Sequence, residues 1–339
     1  MFLPRTSVFT AIIFTACATA ASAQDFSRWI DVQAFTLGAR YRVVDDSNDV
    51  RTTNQVQENN TFKTRVKADR AGRIALNAGV FTGNSFTGSW NNTGIGTGDG
   101  TADVSVKQLF VSAVPVNGIE AQVGSLYLVR GESTEITSYD NDGYLAGERV
   151  TVRKPQQFFF DEISITHGYL GDMTLPSVFD RADRLADSNY RQLLVGKKLG
   201  KQAAMSADWT DTVNGATWRA AASIKVPTVV NAVRFEYYGR PAGDAWGGAI
   251  AAEGKLPRGI VTSLGYANID RDYGGLNSDR FNRGARLFTT TNIPVVGPLS
   301  ASVFYTHAVG NDFVVPIGQR LDVVVTYNVV AAFQKRTSR

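Results

Sequence analysis

Apolar and polar residues alternate along almost the whole of this 339-residue chain, and helical periodicity is nearly absent. The stretch TFKTRVKADRAGRIALNAGVFTG, residues 61–83, sets the pattern. Lys63, Arg65 and Lys67 fall on one parity, and Phe62, Thr64 and Val66 on the other. After the turn-like Arg70-Ala71-Gly72 the alternation resumes, with Ile74, Leu76, Ala78 and Val80 together. Successive side chains of a strand point to opposite faces, so period two predicts strands. A sheet with one apolar and one charged face meets water on one side only. Whether that water lies outside the molecule or inside it decides the fold.

Sixteen strands are expected between residues 29 and 333. Several run roughly ten residues, the length that crosses a bilayer when tilted. Their connections alternate in length. Residues 43–60, 83–103, 131–157, 177–189, 271–282 and 309–318 read as long. Ala71-Gly72, 115–117, Gly168-Tyr169, Gly200-Lys201, 256–258 and 294–297 read as tight. An even strand count with long connections at one end and tight ones at the other is the plan of a barrel that spans an outer membrane. A secreted sandwich or propeller also has many short strands, but its connections do not sort this way, and no blade-length repeat is present. The expected fold class is all-β: an antiparallel transmembrane β-barrel of about sixteen strands, with long extracellular loops and short periplasmic turns.

The N-terminus agrees on the compartment. Arg5, the apolar run Val8–Ala18 and the A-x-A sequence Ala21-Ser22-Ala23 read as a secretory signal cleaved before Gln24. The expected organisation is a signal peptide over 1–23, the barrel over 24–333 and a short polar tail over 334–339. The only cysteine, Cys17, lies in the signal, so the mature chain has no disulfide framework and no thiolate metal site. No later apolar run is long enough for a transmembrane helix. The formal charge of +4 is mild and dispersed, which implies no nucleic-acid partner. No cofactor or metal is expected.

In a membrane barrel the apolar parity faces lipid and the charged parity faces the lumen. Strands 215–226, 229–239 and 319–333 obey: Trp218, Phe235, Tyr237, Val323 and Val325 oppose Arg219, Lys225, Arg234, Glu236, Arg320 and Asp322. Strand 29–42 places Arg40 and Arg42 inward, and Arg73 and Lys107 join the inward set. A charge on the lipid face near the midplane costs about 2–4 kcal/mol. Lys63, Arg65 and Lys67 in alternation are therefore expected to face a wet lumen. The inward acids are Asp69, Asp103, Glu236 and Asp322, so the expected pore lining carries a cationic excess. A basic ring focuses anions, most strongly at low salt. Trp29, Tyr41, Trp209, Trp218, Tyr237, Trp246, Tyr327 and Phe333 fit aromatic girdles at the two membrane interfaces.

The longest connection, GESTEITSYDNDGYLAGERVTVRKPQQ over 131–157, follows the fifth expected strand. In this topology the chain resembles the sixteen-stranded general porins, whose loop after the fifth strand folds into the barrel and narrows it. The resemblance covers most of the mature chain and shares no sequence motif. It implies a constriction at which Glu132, Glu135, Asp140 and Asp142, with Arg149, Arg153 and Lys154 on the same loop, face the basic wall of Lys63, Arg65 and Lys67. It also implies a homotrimer in a bilayer with lipopolysaccharide. A fainter resemblance, to the alginate-export channels, rests on the texture of this loop before FFFDEISITHGYL and on the basic lumen; it implies passage of anionic sugars. The end of the chain departs from both families, because Phe333 is followed by Gln-Lys-Arg-Thr-Ser-Arg.

Trp90, among small polar residues in 83–100, could stack a sugar ring, although such a stretch is more often a plain loop. The histidines, His167 and His307, have no aligned nucleophile and acid partner, so no enzyme is expected. The expected function is passive passage of small polar solutes, leaning to anions, across a bacterial outer membrane. The alternative is a plugged barrel that binds through its extracellular loops.

Overall fold

In the computed structural model the chain is described at residues 28–83, 85, 88–131, 136–137, 144–153, 158–171, 175–226, 230–241, 243, 245–271, 280–281, 283–310 and 313–337. The expected signal sequence lies outside these residues. The strands are β1 (Ile30–Asp45), β2 (Arg51–Lys67), β3 (Ile74–Thr82), β4 (Asn91–Gly96), β5 (Val104–Val116), β6 (Ile119–Leu126), β7 (Leu145–Val152), β8 (Glu162–Tyr169) and β9 (Tyr190–Leu199). They continue as β10 (Ala203–Thr212), β11 (Gly215–Lys225), β12 (Val230–Gly239), β13 (Trp246–Lys255), β14 (Val261–Ile269), β15 (Gly284–Val296), β16 (Leu299–Ala308) and β17 (Gln319–Asn328). A helix, α1 (Val329–Thr337), ends the described chain.

Each wall strand pairs antiparallel with its neighbours, and β1 pairs with both β2 and β17, so the sheet closes. The wall has sixteen strands, because β3 pairs directly with β5. The seventeenth, β4, sits in the 83–103 connection and extends the edge of β2 at Gln55–Glu58. Directly paired residues share a face. On one face Leu76, Val111, Val150, Ile165, Leu193, Trp209, Phe235, Leu264 and Val325 stay exposed, while Asn77, Ser112, Arg149, Thr166, Gln192 and Asp322 on the other are buried. This inverts a water-soluble protein. The outside is an apolar belt that suits hydrocarbon, and the polar parity lies within.

The connections 83–103, 127–144, 170–189, 270–283 and 309–318 all leave from one end, and the tight turns 117–118, 200–202 and 297–298 from the other. Several boundaries differ from expectation. The connection after β1 is only 46–50, because the hairpin β1–β2 runs far beyond the neighbouring β3. Gly168-Tyr169 is the end of β8 rather than a turn, the described residues of 170–176 form no strand, and 145–152 is a strand. One strand is lost and another gained, so the total stands. The last strand stops at Asn328. Its side chain accepts the Ala331 N–H at 3.0 Å, an N-cap that starts α1 on the good helix formers Ala331 and Ala332. Helix α1 packs against β1.

Candidate functional site

Ile136 and Thr137, midway along the connection 127–144 that follows the fifth wall strand, lie inside the barrel. They are held by Glu236 on β12, far around the wall from β6 and β7. Glu236 Oε2 accepts the backbone N–H of Ile136 at 3.0 Å, that of Thr137 at 2.7 Å, and the Thr137 hydroxyl at 2.9 Å. The same hydroxyl lies 3.1 Å from the Tyr238 hydroxyl. The other carboxylate oxygen of Glu236 is 3.4 Å from Arg219 Nε. A buried carboxylate persists where several donors and a cation replace its lost water. Ile136 adds an apolar contact to a cluster of Tyr238, Ala267, Phe281, Phe288 and Phe304. Tyr238 lies flat over Gly247, where a Cβ would come within 2.0 Å of its ring. Glycine at that position gives the loop its hydroxyl partner.

The base of this loop is fixed near its own strands. Arg149, on β7, donates to Thr166 Oγ1 at 3.0 Å, Gln122 Oε1 at 3.1 Å and the Tyr127 carbonyl at 2.5 Å. Tyr144 donates to the Ser177 carbonyl at 2.6 Å, and the Arg181 guanidinium lies 4.4 Å from its ring centroid. Burial pushes the Tyr144 phenol up to about 12. Leu126, Leu128, Tyr144, Leu145, Leu170 and Val178 pack here, joining connections 127–144 and 170–189 to the inner wall.

The seam between β1 and β17 carries the densest charge. Asp322 is fully buried. Arg42 reaches both of its oxygens, at 2.7 and 3.1 Å. Arg320 donates to Asp322 Oδ2 through Nε at 3.0 Å and NH2 at 2.7 Å, and Arg40 NH1 stands 3.9 Å away. One carboxylate thus faces three guanidinium groups. Arg40 also bonds Gln57, and its guanidinium stacks 4.1 Å from the Trp90 ring centroid. Trp90 therefore offers one of its faces to a cation of the protein itself, not to a sugar.

The remaining expected pore residues divide. Lys63, Arg65 and Lys67 pair with Gly79, Asn77 and Ala75 on the inward parity, while Phe62, Thr64 and Val66 share the outer one. Arg65 donates to the Gly72 carbonyl at 2.7 Å, toward the tight-turn end. Arg234 bonds Glu253 at 2.6 Å, and Lys225 is exposed near the tight-turn rim on the same parity. Lys107 is not open to the pore. Its ammonium is buried and donates to the carbonyls of Ser85 and Gly88 and to the Ser89 hydroxyl, at 2.7, 3.0 and 3.0 Å. A bulge at β3–β5 frees it for this clamp. Arg73 lies exposed in the turn 68–73 rather than on the wall.

The expected constriction segment 131–157 is corrected: residues 145–152 are the wall strand β7, and of the connection before it Ile136 and Thr137 meet Glu236. Arg149 belongs to the wall, and Arg153 lies at the opposite end, 3.0 Å from Glu162. Glu132, Glu135, Asp140, Asp142 and Lys154 fall outside the described residues. Sequence reading missed Glu253 and the fully buried Arg286, although strands 246–255 and 283–292 put both on the inward parity. It had no signal for Ile136 and Thr137, because a loop contact has no periodicity, and it missed Gln57 because 43–60 read as a connection where β2 in fact runs.

The fold is similar to solved porins. OmpF of Salmonella typhi, in a complex with daunomycin, matches with a TM-score of 0.57 and 11% identity over 88% of this chain and 97% of that one. A mutant of the Rh. blastica porin matches at 0.55 and 11% identity, over 88% and 99% of the two chains. The trimer form of OmpT, an outer membrane protein of Vibrio cholerae, matches at 0.51 and 11%, over 88% and 99%. No protein-family model and no curated protein matches the sequence. At this identity the likeness is one of fold, and the resemblance to alginate-export channels gains no support from it.

Proposed function

We propose that this chain forms an outer-membrane channel through which small polar solutes diffuse passively, with a lean to anions. The observation that carries the reading is the attachment of Ile136 and Thr137, from the connection 127–144, to the inward Glu236 on a distant wall strand. A sixteen-stranded barrel is wide enough to keep an aqueous passage. A loop fixed across it narrows that passage without closing it by strand geometry. The cations Arg40, Arg42 and Arg320 outnumber the one carboxylate they share, and Lys63, Arg65 and Lys67 extend the basic inner surface. A low-dielectric wall with such an excess concentrates anions in the pore. The porin-like neighbours support a bacterial outer membrane as the site, a signal peptide over 1–23 fits that route, and the trimer form of one neighbour supports a homotrimer here. The plugged-barrel alternative is not favoured by these neighbours.

The test is single-channel current of the refolded mature chain in a planar bilayer under a potassium chloride gradient. Steady current whose reversal potential lies on the chloride side supports the reading. Insertion without current overturns it in favour of a plugged barrel, and a potential on the potassium side overturns the anion lean alone.

A further inference from the structure

Glu236 on β12 pairs with Ala249 on β13, Ala249 with Ala267 on β14, and Ala267 with Arg286 on β15. Direct pairing puts all four on one course of the inner wall, and three strand spacings set Glu236 and Arg286 about 14 Å apart. Arg286 thus lies at the height where Ile136 and Thr137 are held. Ala267, its direct partner, belongs to the apolar cluster that receives Ile136. The guanidinium is fully buried. One donor is used, from NH2 to the Arg283 carbonyl at 3.1 Å. Nε and NH1 have no hydrogen-bond partner, and no carboxylate pairs with the group among the described residues. The charge that bears on it is another cation, Arg320, one course along on β17. Lys107 and Arg149 are buried as deeply, but each meets three acceptors. Glu236, at the other end of the course, is offset by Arg219 and by the donors of the loop.

A buried charge without a partner is costly, and a well-packed apolar side chain in its place is often neutral or stabilising. A guanidinium does not escape that cost by losing its proton. One bond to a carbonyl is a small return for it. We infer that Arg286 is a selectivity-determining residue of the channel: it acts by its field from behind the pore lining, and the permeating anion takes the place of a protein acid as its counter-ion. This rests on the channel reading. An exposed cation such as Lys225 gathers water and counter-ions against itself and is screened where it stands. Arg286 has no exposed surface for an ion to lie against. Its field crosses low-dielectric protein and meets mobile charge first in the lumen, at the height of Glu236. Arg320, Arg42 and Arg40 have Asp322 among them, so part of their charge is spent within the wall. The charge of Arg286 is not, because an apolar cluster and a cation are what surround it.

The experiment is the reversal potential of the wild type, R286M, R286K and K225M in a planar bilayer, at about 0.01 M potassium chloride, where the screening length is about 30 Å. One unit charge about 10 Å from an ion in water alters the local concentration of that ion about twofold. Chloride and potassium respond in opposite senses. R286M is therefore expected to lower the chloride-to-potassium permeability ratio about fourfold. R286K, which keeps the charge, should hold the wild-type ratio, and K225M should move it less than R286M does. Heat-modifiable migration on gels checks that the variants fold, and R286M should stay folded to at least the wild-type temperature. An R286M ratio equal to that of the wild type, or shifted no further than that of K225M, overturns the inference. Failure of R286M to fold, with or without R286K, makes the residue structural and overturns it too. No current from the wild type fails the channel reading and the inference with it; steady current with a ratio indifferent to R286M fails the inference alone. A wild type that prefers potassium fails the anion lean, and a further move toward potassium in R286M still supports the role of Arg286.

Discussion

Thr137 donates its backbone N–H to Glu236 across the barrel interior at 2.7 Å, and its hydroxyl to the same oxygen at 2.9 Å. A loop tip and a distant wall strand are thereby made one unit. Removing a buried charged partner costs about 3–5 kcal/mol, because the groups left behind stay desolvated. Glu236→Ala would strand two N–H groups and take the carboxylate away from Arg219. We expect larger and noisier single-channel current from E236A, with E236Q between it and the wild type because an amide oxygen still accepts. Identical conductance in all three would remove the loop from any role in setting the aperture.

The Arg42–Arg320–Asp322 cluster predicts a pair of opposite shifts. The double variant R42Q/R320Q takes the cluster from two net positive charges to none, with Arg40 left opposite Asp322, and the reversal potential should move toward cations. Asp322→Asn should move it toward anions while lowering stability by about 3 kcal/mol, since three guanidinium groups lose their counterion. Both shifts should shrink in concentrated salt as the Debye length falls.

Lys107 holds the 83–90 segment through three acceptors. Lys107→Met keeps the stem and removes the donors. Limited proteolysis should then cut in 83–90 sooner, and Trp90 fluorescence should change as its stack on Arg40 loosens. A digestion pattern like that of the wild type would show that the clamp is dispensable.

Tyr144 gives a pH dependence. Its phenol ionises near 10.0 when free and at about 12 when buried beneath the 170–189 connection. The folded state therefore holds its full advantage below pH 10 and loses it progressively as pH rises from 10 toward 12. Denaturant midpoints should fall over that interval in the wild type and stay flatter in Tyr144→Phe.

The alternation makes most of the wall legible in the sequence. Strands such as β11, β12 and β17 separate Trp218, Phe235 and Val325 from Arg219, Glu236 and Asp322, because one parity must meet an apolar medium. Strand β7 hid for the opposite reason. It carries Arg149 inward and Glu148 outward, so both parities are charged, and Gly147 weakens its strand character further. Its partner β8 carries His167 outward and blurs in the same way. The inserted loop was legible as a long connection after the fifth strand, but not its contacts, which depend on a Glu236 one hundred residues from Ile136. The partners of Trp90 and Lys107 are hidden in the sequence, because the Arg40 stack and the bonds to Ser85, Gly88 and Ser89 leave no periodic signal.

The pairing of Arg42 with Asp322 joins the first strand to the last, at the one place where the barrel closes upon itself. A slip of a single residue there would turn Asp322 outward to the apolar belt and set Leu321 or Val323 against the arginines. The ion pair thus works as a proofreading mark, accepting one alignment of the final strand and penalising its neighbours. A cylinder assembled from interchangeable-looking strands needs one such mark, and here it coincides with the residues that would filter the solute.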